Sequence, residues 1–175
     1  MTDGAVKGSE ALPVRLGIVG CGGISHRHGP AAAASSEVAI VGCCDTRIDV
    51  AQEWAATYGC ESVYSDYRAM VDELELDGVL LATWPVQHCE QILGCLHAGV
   101  RFVLCEKALT TSRATALEVF RAAEAATAIV VEALMYRHHP AIKRVERLLD
   151  EGAVGAVDSV RAYFQRVRSR GALSR

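Results

Sequence analysis

The stretch VRLGIVGCGGIS, residues 14–25, decides the fold, because an apolar run leads directly into a turn rich in glycine. Val14 to Val19 has the composition of a parallel strand that is buried on both faces. Gly20 and Gly22 permit a tight turn and a close approach of the backbone to a ligand, and Ser25 is small enough for a helix to pack closely on the strand. With a strand before it and a helix after it, this loop is predicted to bind phosphate.

An acidic residue follows at the distance that a dinucleotide-binding loop requires, about 20 residues further on. Asp45 ends a second apolar run, Val38 to Cys44, and its carboxylate can accept hydrogen bonds from both ribose hydroxyls of an adenosine. The alternative role for Asp45 is the N-cap of a helix over Ile48 to Tyr58. Loop and carboxylate together predict a bound dinucleotide. Asp45 favours NAD, whereas Arg47 could accommodate a 2′-phosphate, so NADP stays open.

The same alternation of apolar runs and helix-like stretches continues along the chain. Further strands are predicted at Val79–Thr83, Phe102–Cys105 and Ile129–Val131, and further helices at Tyr67–Leu74, His88–Ala98 and Ser112–Ala126. Such alternation predicts an α/β fold with a doubly wound parallel sheet.

Local signals refine the helix boundaries. Thr111 or Ser112 can cap the helix that runs to Ala126, and Gly99 is placed to end the helix before it. Gly29-Pro30 predicts a first helix that is short or kinked.

Composition excludes several classes of protein. The chain has 175 residues, 51% of them apolar and 22% charged, with a net charge of -3, which fits a globular protein and not a nucleic-acid-binding one. No apolar run approaches the length of a membrane span, and the first residues lack the apolar core of a signal peptide, so we expect a cytoplasmic protein without a membrane partner. Seven cysteines without a C-x-x-C pair make a disulfide framework or zinc site improbable.

The pattern changes near Pro140. We predict a flexible tail over residues 1–13, a dinucleotide-binding domain over 14–140, and the start of a second domain over 141–175. That start consists of one amphipathic helix, which stops near Gly152, and one strand over Val157 to Val167. An apolar face around Val157 to Phe164 would favour self-association, which light scattering can test.

Two predicted strands end in residues that can carry chemistry, at the edge where open α/β sheets bind ligands. Thr83, Trp84 and His88 follow one of them, although a histidine at a helix start is more often solvated or capping than catalytic. Glu106 and Lys107 follow another, where they would lie beside a nicotinamide. A lysine that is partly desolvated there can act as an acid or a base, and the alternative is a solvated strand end.

The last apolar run leads into EALMYRHHP, residues 132–140. Arg137 has donors for a carboxamide or for substrate oxygens. Adjacent His138 and His139 point in different directions and lack a third ligand at metal-binding spacing, and His26 and His28 are equally weak, so no metal site is predicted. The predicted cofactor-binding residues are Gly20, Gly22, Gly23, Ile24, Asp45, Thr46, Arg47, Thr83, Trp84, His88, Glu106, Lys107 and Arg137.

Taken in order, GCGGIS, CD, TWPVQH, CEKAL and EALMYRHHP resemble the glucose-fructose oxidoreductase and inositol dehydrogenase (Gfo/Idh/MocA) family. The resemblance runs from about Val14 to Phe164 and is nearest the branch of dihydrodiol and xylose dehydrogenases. It implies a Rossmann domain and an NAD(P)-dependent oxidation of a secondary alcohol on a sugar, cyclitol or diol. It also implies that Lys107 is the catalytic residue, and that Glu106 and Arg137 help to shape the nicotinamide site.

Two departures from the family pattern qualify this reading. Ala108 stands where the motif usually has proline, which leaves the backbone dihedral free and can loosen the aim of Lys107. Family members also carry a second domain that provides substrate contacts, and only its beginning is recognisable here. The chain is therefore expected to be weak or inactive alone. The alternative is a catalytically silent dinucleotide-binding module, a sensor or partner subunit. Another nucleotide-binding protein, such as a methyltransferase, would bind its methyl donor instead.

Overall fold

Six parallel strands form one sheet in a computed structural model of the chain, which describes residues 12–163. The strands are β1 (Val14–Val19), β2 (Val38–Cys44), β3 (Ser62–Tyr64), β4 (Gly78–Leu81), β5 (Phe102–Cys105) and β6 (Ile129–Glu132). Their order across the sheet is β3-β2-β1-β4-β5-β6. The order reverses between β1 and β4, the place where ligands bind in doubly wound sheets. The predicted fold class is confirmed.

Helices connect the strands on both faces of this sheet. They are α1 (Ser25–Ala33), α2 (Ile48–Tyr58), α3 (Tyr67–Glu73), α4 (Pro85–His97), α5 (Arg113–Ala125) and α6 (Pro140–Asp150). Helix α1 has nine residues and contains Pro30, so it is short as predicted. Ser112, not Thr111, caps α5 by accepting a hydrogen bond from the Thr115 N–H, and Gly99 adopts a φ of 89° just after α4.

Two boundaries differ from the prediction by two residues or more, and one short strand was not predicted. Helix α4 begins at Pro85 and not at His88, because proline is favoured in the first turn, where its missing N–H has no helical partner. Strand β4 ends at Leu81 and not at Thr83. The three-residue strand β3 was not predicted, because so short a segment has no periodicity to detect.

The core is divided between the two faces of the sheet. On one face, Ile18, Cys43 and Leu80 pack with Trp54 of α2. On the other face, strand residues such as Val79 and Val103 pack with α3, α4 and α5. Alternate residues of each buried strand therefore contribute to opposite cores, as their continuous apolar composition predicts. The sheet is a rigid support for the loops at its carboxyl edge.

Within residues 12–163, one face of strands β5 and β6 stays partly exposed. Phe102, Leu104, Ile129 and Val131 occupy neighbouring positions on that face and are 37–57% exposed. Their intervening neighbours Val103 and Cys105 are buried. Two of the six strands therefore present apolar surface on this side of the sheet.

The described chain separates into two compact units, one ending at Leu134 and the other beginning at Met135. The second unit begins with a short 3-10 turn, Met135–His138, followed by α6, whose N-cap His139 accepts a hydrogen bond from the Ala141 N–H. No helix within residues 12–163 is long and apolar enough to cross a membrane.

The strand predicted over Val157 to Val167 is not present in residues 157–163, and its remaining residues lie outside the described part of the chain. A strand needs a neighbour with which to exchange backbone hydrogen bonds. Val157, Val160 and Tyr163 are 51–85% exposed, so no described residue covers them. Self-association through this segment stays a prediction, and the predicted tail over residues 1–13 falls almost wholly outside the described residues.

Candidate functional site

A cleft of about 1160 Å³ opens at the carboxyl edge of the sheet, within the first unit. The loops that follow β1, β2, β3, β4 and β5 all line it. Its volume is just above the usual range of pockets for small molecules, about 300–1,000 Å³, so it can hold a ligand as large as a cofactor. The loops after β1 and β4 both line the cleft, so it lies where the strand order reverses.

The loop after β1 leaves room for a ligand at the start of α1. Gly20 has a φ of 90°, and an added Cβ would lie 2.8 Å from the carbonyl carbon and oxygen of Ala82, so only glycine fits. An added Cβ at Gly22 or Gly23 would meet no atom within 4 Å. Ser25 is fully buried and donates to the Gly22 carbonyl over 2.6 Å, which holds the loop against the helix.

Asp45 connects the end of β2 to this loop. One carboxylate oxygen accepts a hydrogen bond from the Cys21 N–H and the other from the Arg47 N–H, each over 3.0 Å. The N-cap of α2 is Arg47, so Asp45 does not have the alternative capping role. Each oxygen keeps lone-pair capacity for a further donor from the cleft.

The loop after β4 forms another wall. Thr83 donates from its hydroxyl to the buried Gln91 side chain over 2.5 Å, which ties the loop to α4. Trp84 is 78% exposed, so its ring is not part of the core. An exposed indole at a cleft edge is available for contact with a ligand.

Glu106 and Lys107 emerge at the end of β5, as predicted. Glu106 is only 5% exposed, and its carboxylate lies 2.8 Å from Nε2 of His28 on α1. Lys107 is exposed, because it lies at the open side of the cleft. The partial desolvation expected for Lys107 is therefore not provided by this part of the chain alone. The peptide bond between Lys107 and Ala108 is cis.

The structure brings most of the predicted residues together. Those that line the cleft are Gly20, Gly22, Gly23, Ile24, Asp45, Thr46, Arg47, Thr83, Trp84, Glu106 and Lys107. His88 does not line it, because its side chain is fully buried beneath α4. Arg137 is exposed in the second unit.

The sequence reasoning missed the residues after β3. Asp66, Tyr67 and Arg68 line the cleft together with Glu90 of α4, whose carboxylate accepts the Tyr67 hydroxyl over 2.6 Å. Burial, followed by the hydrogen bond to Glu90, raises the pKa of Tyr67. Had β3 been predicted from the sequence, the loop after it would have been placed at the carboxyl edge of the sheet with the other cleft loops. From the sequence, His28 was considered only as a metal ligand. Its contact with Glu106 joins positions 78 residues apart, and no sequence pattern predicts it.

Three buried cysteines on the strands and on α4 have thiols that do not ionise readily. Burial raises the pKa values of Cys44, Cys95 and Cys105 to about 12, so these thiols stay protonated at neutral pH. A protonated thiol is neither a nucleophile nor a good metal ligand. Among residues 12–163, no group of three His, Cys, Asp or Glu side chains is arranged to hold a metal ion.

Comparison with known proteins agrees with this geometry. Residues 14–134 match the model of the GFO/IDH/MocA oxidoreductase family, described as an NAD-binding Rossmann fold. A dTDP-3,4-didehydro-2,6-dideoxy-alpha-D-glucose 3-reductase of Actinomadura kijaniata is 34% identical over 89% of this chain and 47% of that protein. A trans-1,2-dihydrobenzene-1,2-diol dehydrogenase of Mus musculus is 28% identical over 87% of this chain and 46% of that protein. The chain thus spans about half the length of the curated relatives it matches.

A solved structure shows the same fold. The crystal structure of KijD10, a 3-ketoreductase from Actinomadura kijaniata in complex with NADP and TDP-benzene, superposes with a TM-score of 0.74 at 33% identity. The match covers 80% of this chain and 43% of that one. With the family model covering most of the chain and both cores of its sheet, the chain belongs to the GFO/IDH/MocA family of NAD(P)-binding oxidoreductases.

Proposed function

We propose that this chain is the dinucleotide-binding part of an NAD(P)-dependent oxidoreductase that transfers hydride to or from a secondary alcohol carbon. The observation that carries this proposal is the position of Lys107, at the end of β5 in the same cleft as the glycine loop and Asp45. A proton-transferring group and the two elements of a dinucleotide site thus share one cavity. Hydride transfer to or from an alcohol carbon requires a bound nicotinamide and a group that moves the hydroxyl proton.

The residues present fit a dinucleotide. The open space beside Gly22 and Gly23 lies at the start of α1, where backbone N–H groups and the helix dipole favour a pyrophosphate. Asp45 would hold the adenosine ribose, with Thr46 and Arg47 beside it. The negative charge of Asp45 opposes a 2′-phosphate, and NAD is therefore slightly favoured over NADP. The guanidinium of Arg47 leaves NADP binding open.

Thr83, Trp84 and Glu106 would border the nicotinamide half of the ligand. A bound nicotinamide accepts or supplies the hydride. Lys107 takes the proton from the substrate hydroxyl in the oxidation and returns it in the reduction. The buried contact between Glu106 and His28 fixes the floor of this end of the cleft. Arg137 carries donors for the carboxamide or for substrate oxygens.

The names of the relatives indicate the class of substrate. One is a 3-reductase of a dTDP-linked deoxysugar, and another is a diol dehydrogenase. Both names describe oxidation or reduction at a carbon that bears oxygen, next to a second such carbon. We infer a sugar, cyclitol or diol substrate for the protein to which this chain corresponds.

The experiment is an assay of NAD(P) reduction by the purified chain with a panel of sugars, cyclitols and diols. Lys107→Ala is expected to lower the rate by about 100-fold or more, a far larger factor than its effect on dinucleotide affinity. Lys143→Ala is the matched control, because Lys143 is an exposed lysine paired with Glu146 on α6. Full activity of Lys107→Ala would overturn the proposal. Turnover of any of these substrates by the wild type, however slow, would exclude the silent module, which binds the dinucleotide without turnover.

A further inference from the structure

The peptide group between Ala108 and Leu109, the second one after Lys107, is hydrogen-bonded at both of its polar ends. Its carbonyl oxygen lies 2.8 Å from Nδ1 of His88, and its N–H donates to Oε1 of Glu132 over 2.9 Å. A peptide group is planar, so two hydrogen bonds from opposite sides fix its orientation. The backbone one residue beyond Lys107 is therefore held in one orientation.

His88 is fully buried, and its second ring nitrogen, Nε2, lies 3.2 Å from the carbonyl oxygen of Thr83. The ring thus bridges the loop after β4 and the loop after β5. Both partners are carbonyl oxygens, which only accept, and a neutral imidazole has a single N–H. We assign this hydrogen to Nδ1, whose contact is the shorter of the two, so that His88 donates to the Ala108 carbonyl oxygen.

Glu132 approaches from the other side, at the end of β6. Strands β5 and β6 are neighbours, with Cys105 paired to Glu132, so the sheet itself sets the position of this carboxylate. The two contacts come from α4 and β6, which are separate elements packed on the same core.

We propose that His88 is a positioning residue which, together with Glu132, clamps the Ala108–Leu109 peptide and so sets the direction in which Lys107 enters the cleft. Alanine at position 108 does not restrict its own φ as a proline would, and the clamp supplies a restraint from outside the loop. The inference rests on the proposed function only for what Lys107 does. It assigns His88 a role without contact to the dinucleotide.

The test uses three substitutions of His88 that separate its two nitrogens. The amide of His88→Asn can reach the place of Nδ1, the amide of His88→Gln that of Nε2, and His88→Leu keeps volume without a donor. Hydrogen exchange of the Leu109 N–H in the full chain, without dinucleotide, reports on the clamped peptide. We expect exchange to be about tenfold faster in His88→Gln and His88→Leu, and within about threefold of wild type in His88→Asn.

A merely structural role of His88 predicts a different pattern. It would make the asparagine and glutamine variants equal, and that result, or unchanged exchange in all three, would overturn the proposal. Should the His88 variants fail to fold, Glu132→Ala and Glu132→Gln carry the test, because only the glutamine keeps an acceptor for the Leu109 N–H. Equal exchange in these two would overturn the clamp.

A second readout follows Lys107 itself. Reductive ¹³C-methylation of the chain gives each lysine a methyl resonance, and that of Lys107 is assigned through Lys107→Arg. The Lys107 resonance is expected to move in His88→Gln and to stay in place in His88→Asn, while that of Lys143 stays in both. Suppose that Lys107→Ala is fully active while the His88 variants show the expected resonance shifts. That result would contradict the proposed function and leave the clamp standing. An unmoved Lys107 resonance in both variants would contradict the clamp alone.

Discussion

The Asp45 carboxylate accepts a hydrogen bond from the Cys21 N–H over 3.0 Å, which joins the end of β2 to the glycine loop after β1. The same side chain also accepts from the Arg47 N–H. One acidic residue therefore orients two segments that line the cleft. Its charge and its bonds to the backbone can be separated by substitution.

Substitution of Asp45 should change both the affinity and the choice of dinucleotide. Asp45→Asn keeps an acceptor for the Cys21 N–H but removes the charge, whereas Asp45→Ala removes both. We expect NAD affinity to fall by about tenfold or more in Asp45→Ala and less in Asp45→Asn, with the NADP to NAD affinity ratio rising in both. Fluorescence titration with NADH and NADPH measures the ratio. An unchanged ratio in both variants would show that Asp45 does not contact the ribose.

Substitution of Gly20 should lower stability, whereas substitution of Gly22 should lower dinucleotide affinity. Gly20→Ala forces a Cβ to within 2.8 Å of the Ala82 carbonyl at a positive φ, so the free energy of unfolding should fall by about 1–3 kcal/mol. Gly22→Val projects only into open space, so its stability should stay within about 0.5 kcal/mol of wild type, while dinucleotide affinity falls by about tenfold or more. Urea unfolding and binding titration separate the two effects. Strong binding by Gly22→Val would place the pyrophosphate elsewhere.

The cap of α5 provides a test of the fold that leaves the cleft untouched. Ser112→Ala removes the acceptor for the Thr115 N–H and should lower the free energy of unfolding by about 1 kcal/mol. Thr111→Ala is the matched control, because Thr111 precedes the cap and should change stability by less than about 0.5 kcal/mol. Thermal and urea unfolding measure both. Equal losses in the two variants would contradict the assigned cap.

The buried thiols predict a loss of stability in alkali. The pKa values of Cys44, Cys95 and Cys105 are raised from 9.0 to about 12, so between these values the unfolded chain has lost protons that the folded chain retains. Since the unfolded state then binds fewer protons, the free energy of unfolding falls as pH rises. Urea midpoints should be lower at about pH 10 than at about pH 8, with a smaller difference in Cys95→Ala. An equal difference in that variant would mean that Cys95 titrates normally when folded.

The alternation of apolar runs and helix signals was sufficient to predict the order of elements and most of the cleft. Each strand of four or more residues was predictable from its Val, Ile and Leu content, which reflects burial on both faces in β1 and β4 but persists in β5 and β6, where one face is exposed. Strand β3 was not, and Asp66, Tyr67 and Arg68 were missed with it. Contacts between distant positions, such as His28 with Glu106, depend on how helices pack and leave no pattern along the chain. The burial of His88 followed from a helix start three residues earlier than predicted.

Calorimetric titration of the chain with NADH, NADPH and a methyl donor, S-adenosylmethionine, tests the central claim most directly. Binding of at least one nicotinamide dinucleotide at one site per chain is expected, with the heat lost in Gly22→Val and no heat from the methyl donor. Binding of the methyl donor with no heat from either dinucleotide would contradict the assignment of the cleft.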